Sequence, residues 1–179
     1  ATIFPHNIGL GAAGDPQLVH DIGVATAVEM LATGIPWNYA PVVAVPQDIR
    51  WGRTYEAYGA DVEVVTELGT AFLEGLQSVE GPLRVVATPK HFVGDGAAEW
   101  DTSTAGDYQI DQGDATISEE ELRAIHLPPY EATIAAGLAD TTGGLLEEGF
   151  SWSFVTAPPR VSWTSPRDGA QYMSPTAVV

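Results

Sequence analysis

Three stretches of this chain repeat apolar positions at helical spacing, and two short apolar runs alternate with them. Leu18, Val19, Ile22, Ala25, Thr26 and Met30 predict a helix over 15–33. Asp15 is its N-cap, Pro16 sits in its first turn and Gly34 stops it. Asp21 and Glu29 fall on its solvated face. A second helix is predicted over 61–78, capped by Asp61, with Val64, Val65, Leu68, Ala71, Phe72, Gly75 and Leu76 as its apolar face. Ser118-Glu119-Glu120-Glu121 is a capping box opening a third helix over 118–136. Leu122, Ile125, His126, Tyr130 and Ile134 form its inner face, and Pro128-Pro129 should break or kink it. His126 reads as a packed helix histidine rather than a ligand.

Between these helices lie two runs rich in β-branched residues, bounded by prolines. They predict buried parallel strands near 39–45 and 84–88. Pro89 lacks an N–H, so regular pairing should stop about there. Ala1-Thr2-Ile3-Phe4-Pro5 reads as a strand end, and His6, Asn7 and the glycines at 9, 11 and 14 extend it as a loop. Helix, strand, helix and strand thus alternate, with strand starts about 45 residues apart. That is the order of repeated βα units: an α/β fold with a parallel sheet and outer helices. Residues 97–113 are polar with little periodicity and predict a long loop over the strand ends. Beyond Gly137 the expected apolar strand is missing. The chain therefore divides into 1–137 and an atypical tail, 138–179. That tail offers Thr142-Gly143-Gly144, one short strand around Trp152, Phe154 and Val155, and irregular chain from Pro158 onward.

Composition narrows the partners. The 179 residues suffice for one domain with a core, and carry 24 acidic against 7 basic side chains, a net charge of -17. Nucleic acid and anionic membrane surfaces are poor partners for such a surface, which suits solubility at high salt. With no cysteine, disulfide and thiolate chemistry are excluded. No run approaches the roughly 20 apolar residues of a membrane span, and no charged segment followed by an apolar one opens the chain. Dinucleotide, Walker, zinc-protease and nucleophile-elbow motifs are absent, and the histidines at 6, 20, 91 and 126 lack metal-ligand spacing. No metal or other cofactor is implied.

Two loops carry the candidate chemistry. Lys90 and His91 follow the second strand directly, where α/β sheets bind ligands, and Gly94 and Gly96 allow a sharp turn after them. Adjacent strand residues face opposite sides, so both reach one ligand only over an irregular backbone. The plain alternative is a solvated Lys90 and a structural His91. After the first strand, Gln47-Asp48-Ile49-Arg50-Trp51-Gly52-Arg53-Thr54-Tyr55-Glu56-Ala57-Tyr58 mixes Arg, aromatic and carboxylate residues, as sugar recognition does. Arg50 reads as an ion-paired surface residue. Arg53 fits that role and hydroxyl recognition equally.

These residues also carry a resemblance. Phe4-Pro5-His6-Asn7-Ile8-Gly9-Leu10-Gly11, then Ala40-Pro41, Arg50-Trp51-Gly52-Arg53-Thr54-Tyr55-Glu56 and Lys90-His91-Phe92-Val93-Gly94-Asp95-Gly96 resemble glycoside hydrolase family 3, in its β-glucosidase and exo-β-glucanase branch. The β-N-acetylglucosaminidase branch follows its Lys-His with Gly-His-Gly and an Asp-Ser-His loop, neither of which occurs here. Over residues 1–137 the resemblance implies a partial (β/α)8 TIM-type barrel with parallel strands and outer helices, ahead of an irregular tail. It implies that Arg53, Lys90 and His91 hold hydroxyls of a non-reducing-end glucose, with Lys90 and His91 as donors. Glu56 would orient Lys90 or Arg53 from behind.

The family is retaining, with a nucleophilic Asp and an acid/base Glu, and such carboxylates typically stand about 5–5.5 Å apart. No Ser-Asp-Trp-like nucleophile motif follows Lys90-His91, and the family's hydroxyl-binding Gly-x-Asp would precede residue 1. The domain that supplies the Glu is absent. Asp95, Glu99 and Asp101 are the nearest substitutes. The expectation is a truncated β-glucosidase-type hydrolase, inactive alone, that takes a β-glucoside or β-glucan oligosaccharide. Its partners would be the remainder of the barrel and a second domain. The resemblance favours a periplasmic or extracellular location. A non-catalytic β-glucan- or glucose-binding module on the same scaffold is the alternative, and an acidic fragment without a ligand the third reading.

Overall fold

The computed structural model describes residues 1–137 and the backbone of two short strands further on. Five helices order the first region: α1 (Asn7–Ala13), α2 (Pro16–Ala32), α3 (Val62–Gln77), α4 (Glu119–Glu121) and α5 (Pro128–Ala135). Each long helix starts where its cap predicts. Asp15 accepts from Leu18 N at 3.0 Å and Asp61 from Val64 N at 3.0 Å. Ser118 and Glu121 close the reciprocal capping box. Between α4 and α5, Leu122–His126 winds as a π-helical turn, so the kink expected at Pro128-Pro129 lies just before them.

The segment read as a loop at 6–14 is helix α1, and the strand end expected at 1–5 is not formed. Its glycines serve packing rather than looseness. A Cβ at Gly11 would stand 1.5 Å from the Tyr58 carbonyl oxygen, and Gly14 ends the helix at φ 61°. The same device joins α2 to α3. A Cβ at Gly23 would lie 2.5 Å from Phe72 O, and one at Gly75 would lie 2.0 Å from His20 O. The helices therefore touch backbone to backbone. This rotates α2 so that Val19, Ile22, Gly23 and Ala27 are buried while Leu18 is exposed, against expectation. Ile134, read as part of an inner face, is exposed as well, whereas Tyr130 is buried.

Two extended segments, 36–46 and 84–90, run side by side under these helices. Parallel bridges join Trp37 to Val86 and Val42 to Lys90. Neither segment forms the continuous strand expected near 39–45 or 84–88, because prolines interrupt the donors. Pro36 and Pro41 instead accept, from Val86 N at 2.7 Å and Lys90 N at 3.0 Å. Pairing also continues past Pro89, where it was expected to stop. Donors toward this neighbour come from alternate residues, Val86, Thr88 and Lys90, and Pro89 is out of phase with them. The same alternation divides the core. Val43 and Val45 pack with Val19, Ile22, Val65 and Leu68 on the helix side. Val42 and Ala44 pack with Trp51, Ala98 and Ile110 on the loop side.

In the tail, β1 (Phe154–Ala157) and β2 (Arg160–Trp163) pair antiparallel, Phe154 opposite Trp163. A strand was expected at Phe154 and Val155, but irregular chain was expected from Pro158 onward, so β2 is a correction. Thr142-Gly143-Gly144, Trp152 and residues 164–179 lie outside the described residues.

Candidate functional site

The two loops that carry the candidate residues meet beyond the ends of the extended segments. The first is anchored by Trp51, which is buried among Val42, Ala44, Ala98 and Ile110. From that anchor a 3-10 turn, Thr54–Glu56, brings Glu56 back beside Arg53. The second loop lies directly on the first. Gln47 N donates to Gly96 O at 2.7 Å, and a Cβ at Gly96 would stand 2.2 Å from Val45 O. Only glycine permits that approach. Around it the backbone is irregular: the Lys90-His91 and Phe92-Val93 peptides are cis, and Gly94 turns at φ 102°.

These contacts bring four predicted residues into one network. Arg53 forks onto Glu56, with Nε to Oε1 at 2.7 Å and Nη2 to Oε2 at 2.9 Å. Its Nη2 also reaches His91 Nε2 at 3.1 Å. Arginine only donates, so Nε2 must accept and the imidazole proton sits on Nδ1. That Nδ1 lies 2.6 Å from Asp95 Oδ2. Its geometry is off the line of an ideal hydrogen bond, and neither atom has another hydrogen-bond partner among the described residues. Both ring nitrogens of His91 thus face protein groups, whereas the sequence reading gives the ring one donor for a ligand. Each of the four side chains Arg53, Glu56, His91 and Asp95 keeps about a quarter of its surface open.

The electrostatics follow this geometry. The hydrogen bond from Arg53 holds the Glu56 carboxyl below its ordinary value, and the charges of Arg53 and Lys90 add to the effect against the desolvation of burial. The Arg53 guanidinium is correspondingly pushed up, first by Glu56 and then by Asp95 and Asp111. Lys90 is half-buried, and no described residue accepts a hydrogen bond from its ammonium. Three donors therefore stand uncommitted next to a fixed Arg, Glu and His cluster.

Arg50 takes the surface role expected of it. Its guanidinium pairs with Asp48, whose carboxyl is held down to about 2 mainly by that hydrogen bond. It also lies 4.2 Å over the Trp100 ring. Arg50, Arg53, Trp100, Asp107, Tyr108 and Asp111 contribute to the lining of an open cavity of about 450 Å³. That volume lies within the range of small-molecule sites.

Sequence reasoning missed three contributors. Asn7 Nδ2 donates to Glu56 O at 2.8 Å, and the sequence does not reveal the helical form of α1 that places it. Asp95 reads from sequence only as a substitute nucleophile, but it fixes His91. Its four-residue spacing from His91 across a glycine turn was the available signal. Trp100 reads only as part of a long loop, although a lone Trp on a polar loop marks a ligand surface.

Comparison with known proteins places the chain in a family. The family model described as the glycosyl hydrolase family 3 N terminal domain matches residues 1–141. A β-xylosidase of Formosa agariphila is 34% identical over 149 residues, which cover 80% of this chain and 20% of that protein. An exo-1,3/1,4-β-glucanase from a Pseudoalteromonas species superposes at a TM-score of 0.69 with 42% identity, covering 80% of this chain and 18% of that one. A variant β-glucosidase from Listeria innocua, solved with laminaribiose, gives a TM-score of 0.68 and 33% identity, covering 78% of this chain and 19% of that one. The chain spans about a fifth of the length of these relatives. On these matches the chain belongs to glycoside hydrolase family 3, with residues 1–141 matching its N-terminal domain.

Proposed function

We propose that this chain is the sugar-positioning part of a retaining β-glucosidase or exo-β-glucanase. Arg53, Lys90 and His91 hold hydroxyls of the non-reducing-end glucose, and Glu56 orients Arg53. The observation that carries this is the network of Glu56, Arg53, His91 and Asp95 beside the Lys90 ammonium, from which no described residue accepts a hydrogen bond. A sugar is bound by fixed forks and charged donors set next to one another, and a surface ion pair would need neither the histidine nor the free lysine. The solved relative with laminaribiose supports a β-glucoside as the ligand class. Because Arg53 and Asp95 engage both ring nitrogens, His91 acts by bracing Arg53, or it accepts a sugar hydroxyl at Nε2 when Arg53 turns to the ligand. In the whole enzyme, residues 1–137 form part of a (β/α)8 barrel.

The alternative is a non-catalytic glucose- or β-glucan-binding module. One observation favours it: Glu56, Asp95 and Asp48 each face a cation or an imidazole, so none is free to act as acid or nucleophile. Calorimetric titration with laminaribiose tests what the two readings share. Binding that is lost in Lys90→Ala and Arg53→Ala supports them, and binding indifferent to both changes refutes them. Turnover after restoration of the remaining enzyme separates them.

A further inference from the structure

We propose that Tyr130 is a positioning residue for the candidate site: its buried hydroxyl donates to the Asp95 carboxylate and thereby fixes the His91 ring that faces Arg53. This rests on the reading of Arg53 and His91 as parts of a sugar site.

Pro129, Tyr130 and Thr133 form the buried face of α5, and only 6% of Tyr130 is exposed. Its ring meets Phe92 edge to face, with centroids 5.0 Å apart. Phe92 and Val93 stand in the chain between His91 and Asp95. Both pack on the cluster that holds Tyr130, Val43 and Val45. The helix thus delivers this ring to the loop that carries the site. A phenylalanine would make the same ring contacts without burying a hydroxyl, so packing does not explain the oxygen.

The polar atoms near the ring do explain it. The Tyr130 hydroxyl, Asp95 Oδ2 and His91 Nδ1 are all buried, and none has a well-formed hydrogen bond to a described residue. Asp95 Oδ2 lies 2.6 Å from Nδ1. The charge of Asp95 also reaches the Tyr130 hydroxyl: burial pushes the phenol pKa well up, and that charge pushes it further. The phenol therefore keeps its proton and stands as a donor without an acceptor. A carboxylate oxygen carries two lone pairs, so Oδ2 has room for both Nδ1 and Tyr130. The pairing asks the Asp95 carboxyl to turn toward the hydroxyl, and the off-line contact with His91 does not oppose that turn. His126 Nε2, four residues before Tyr130, is buried without a partner as well, but the charge acting on His126 is that of Glu121. Held from both sides, Asp95 keeps the imidazole proton on Nδ1 and leaves Nε2 to accept from Arg53.

The test uses the 179-residue chain as wild type, Tyr130→Phe, Asp95→Ala and the double variant. Each is followed by thermal denaturation and by proton–nitrogen spectra of the imidazole rings at about pH 8. The spectrum of His91→Gln identifies the His91 signals among those of the four histidines. Tyr130→Phe should lower the melting temperature of the wild type by a few degrees. In Asp95→Ala, where the hydroxyl has lost its acceptor, the same change should raise it. In Tyr130→Phe the His91 signals should move from the Nδ1–H toward the Nε2–H form, while those of His126 stay in place. Laminaribiose affinity, measured by calorimetry, should fall about three- to tenfold. A rise in melting temperature in both backgrounds means that the hydroxyl bonds nothing, and a fall in both means that it bonds a group other than Asp95. Either result overturns the proposal, as does a His91 tautomer indifferent to Tyr130→Phe. A reversed sign with a shifted tautomer, but no laminaribiose binding by the wild type, keeps the link from Tyr130 to His91 and refutes the sugar reading. Tyr130→Phe keeps the ring and its packing, so the tautomer in that variant decides if Asp95→Ala does not fold.

Discussion

Arg53 is the residue at which the two loops become one site, because a single guanidinium reaches Glu56 and His91 together. Replacing it by Ala should do two things. It removes a charged donor from the ligand, and it leaves Glu56 partly buried without its fork. A hydrogen bond to a charged group contributes roughly 1.5–3 kcal/mol, so sugar affinity should fall about ten- to a hundredfold. Lys90→Ala should cost similar affinity with little change in melting temperature, since no described residue accepts a hydrogen bond from its ammonium and only the charge of Glu56 faces it. Titration calorimetry and thermal denaturation of both variants separate these outcomes, and a large melting shift with unchanged affinity would make the residues structural. His126 gives a pH prediction. It is buried, its Nε2 has no partner among the described residues, and desolvation holds its pKa below the ordinary 6.5 against the opposing charge of Glu121. The unfolded chain therefore takes up the proton first as pH falls. Stability should decline as pH drops below about 6.5 toward the lower folded-state value, and be fully present above it. His126→Phe should show a smaller difference in melting temperature between about pH 7.5 and about pH 5.5 than the wild type.

Among the elements, the crossing of α2 on α3 depends on glycine more than on the apolar stripes that predict the helices. Gly75→Ala raises helix propensity by roughly 1 kcal/mol, but its Cβ would sit 2.0 Å from the His20 carbonyl oxygen. The helices must separate along their whole contact, and overpacking of this kind typically costs about 1–3 kcal/mol. The expected net effect is destabilisation, read as a lower midpoint in urea; a stabilised variant would show that the helices slide freely. By contrast, Asp61→Ala should cost only the cap, about 1 kcal/mol. This difference also explains what can be read from the chain. Caps are local, and Asp15, Asp61 and Ser118 mark their helices correctly. Which face of α2 meets α3 depends on a distant backbone, so the apolar pattern puts Leu18 inside and overlooks Gly23. The same holds for α1, whose glycines suggest a loop until Tyr58 is seen lying against Gly11. In the candidate site, Arg53, Lys90 and His91 are singled out by residue type and strand-end position, and the structure brings Arg53 and His91 together. The bracing role of Asp95 is not legible in the chain, because it depends on the turn at Gly94.

At the scale of the whole molecule, charge and chemistry lead to two expectations. A net charge of -17 on 179 residues repels itself, and salt screens exposed charges within about 10 Å at 0.1 M. The melting temperature should therefore rise between low salt and about 0.5 M sodium chloride, and a fall would mean that ion pairs such as Arg50 with Asp48 outweigh the repulsion. The second expectation concerns catalysis. Retaining hydrolysis needs one carboxylic acid kept protonated near neutrality and one free carboxylate opposite it. The carboxyls of Glu29, Asp48, Glu56 and Glu121 are held down by their hydrogen bonds rather than pushed up. Glu56 is committed to Arg53, and Asp95 is held against His91. Neither can leave its partner without dismantling the residues that would position the sugar. The 179-residue chain should therefore bind a β-glucoside and leave it intact. Incubation of pure chain with an aryl β-glucoside over days, with release of the phenol followed by absorbance, should give no rate above buffer. A clear rate that disappears in Asp95→Ala would make Asp95 the nucleophile and His91 its partner in catalysis, and would replace the positioning role argued for both.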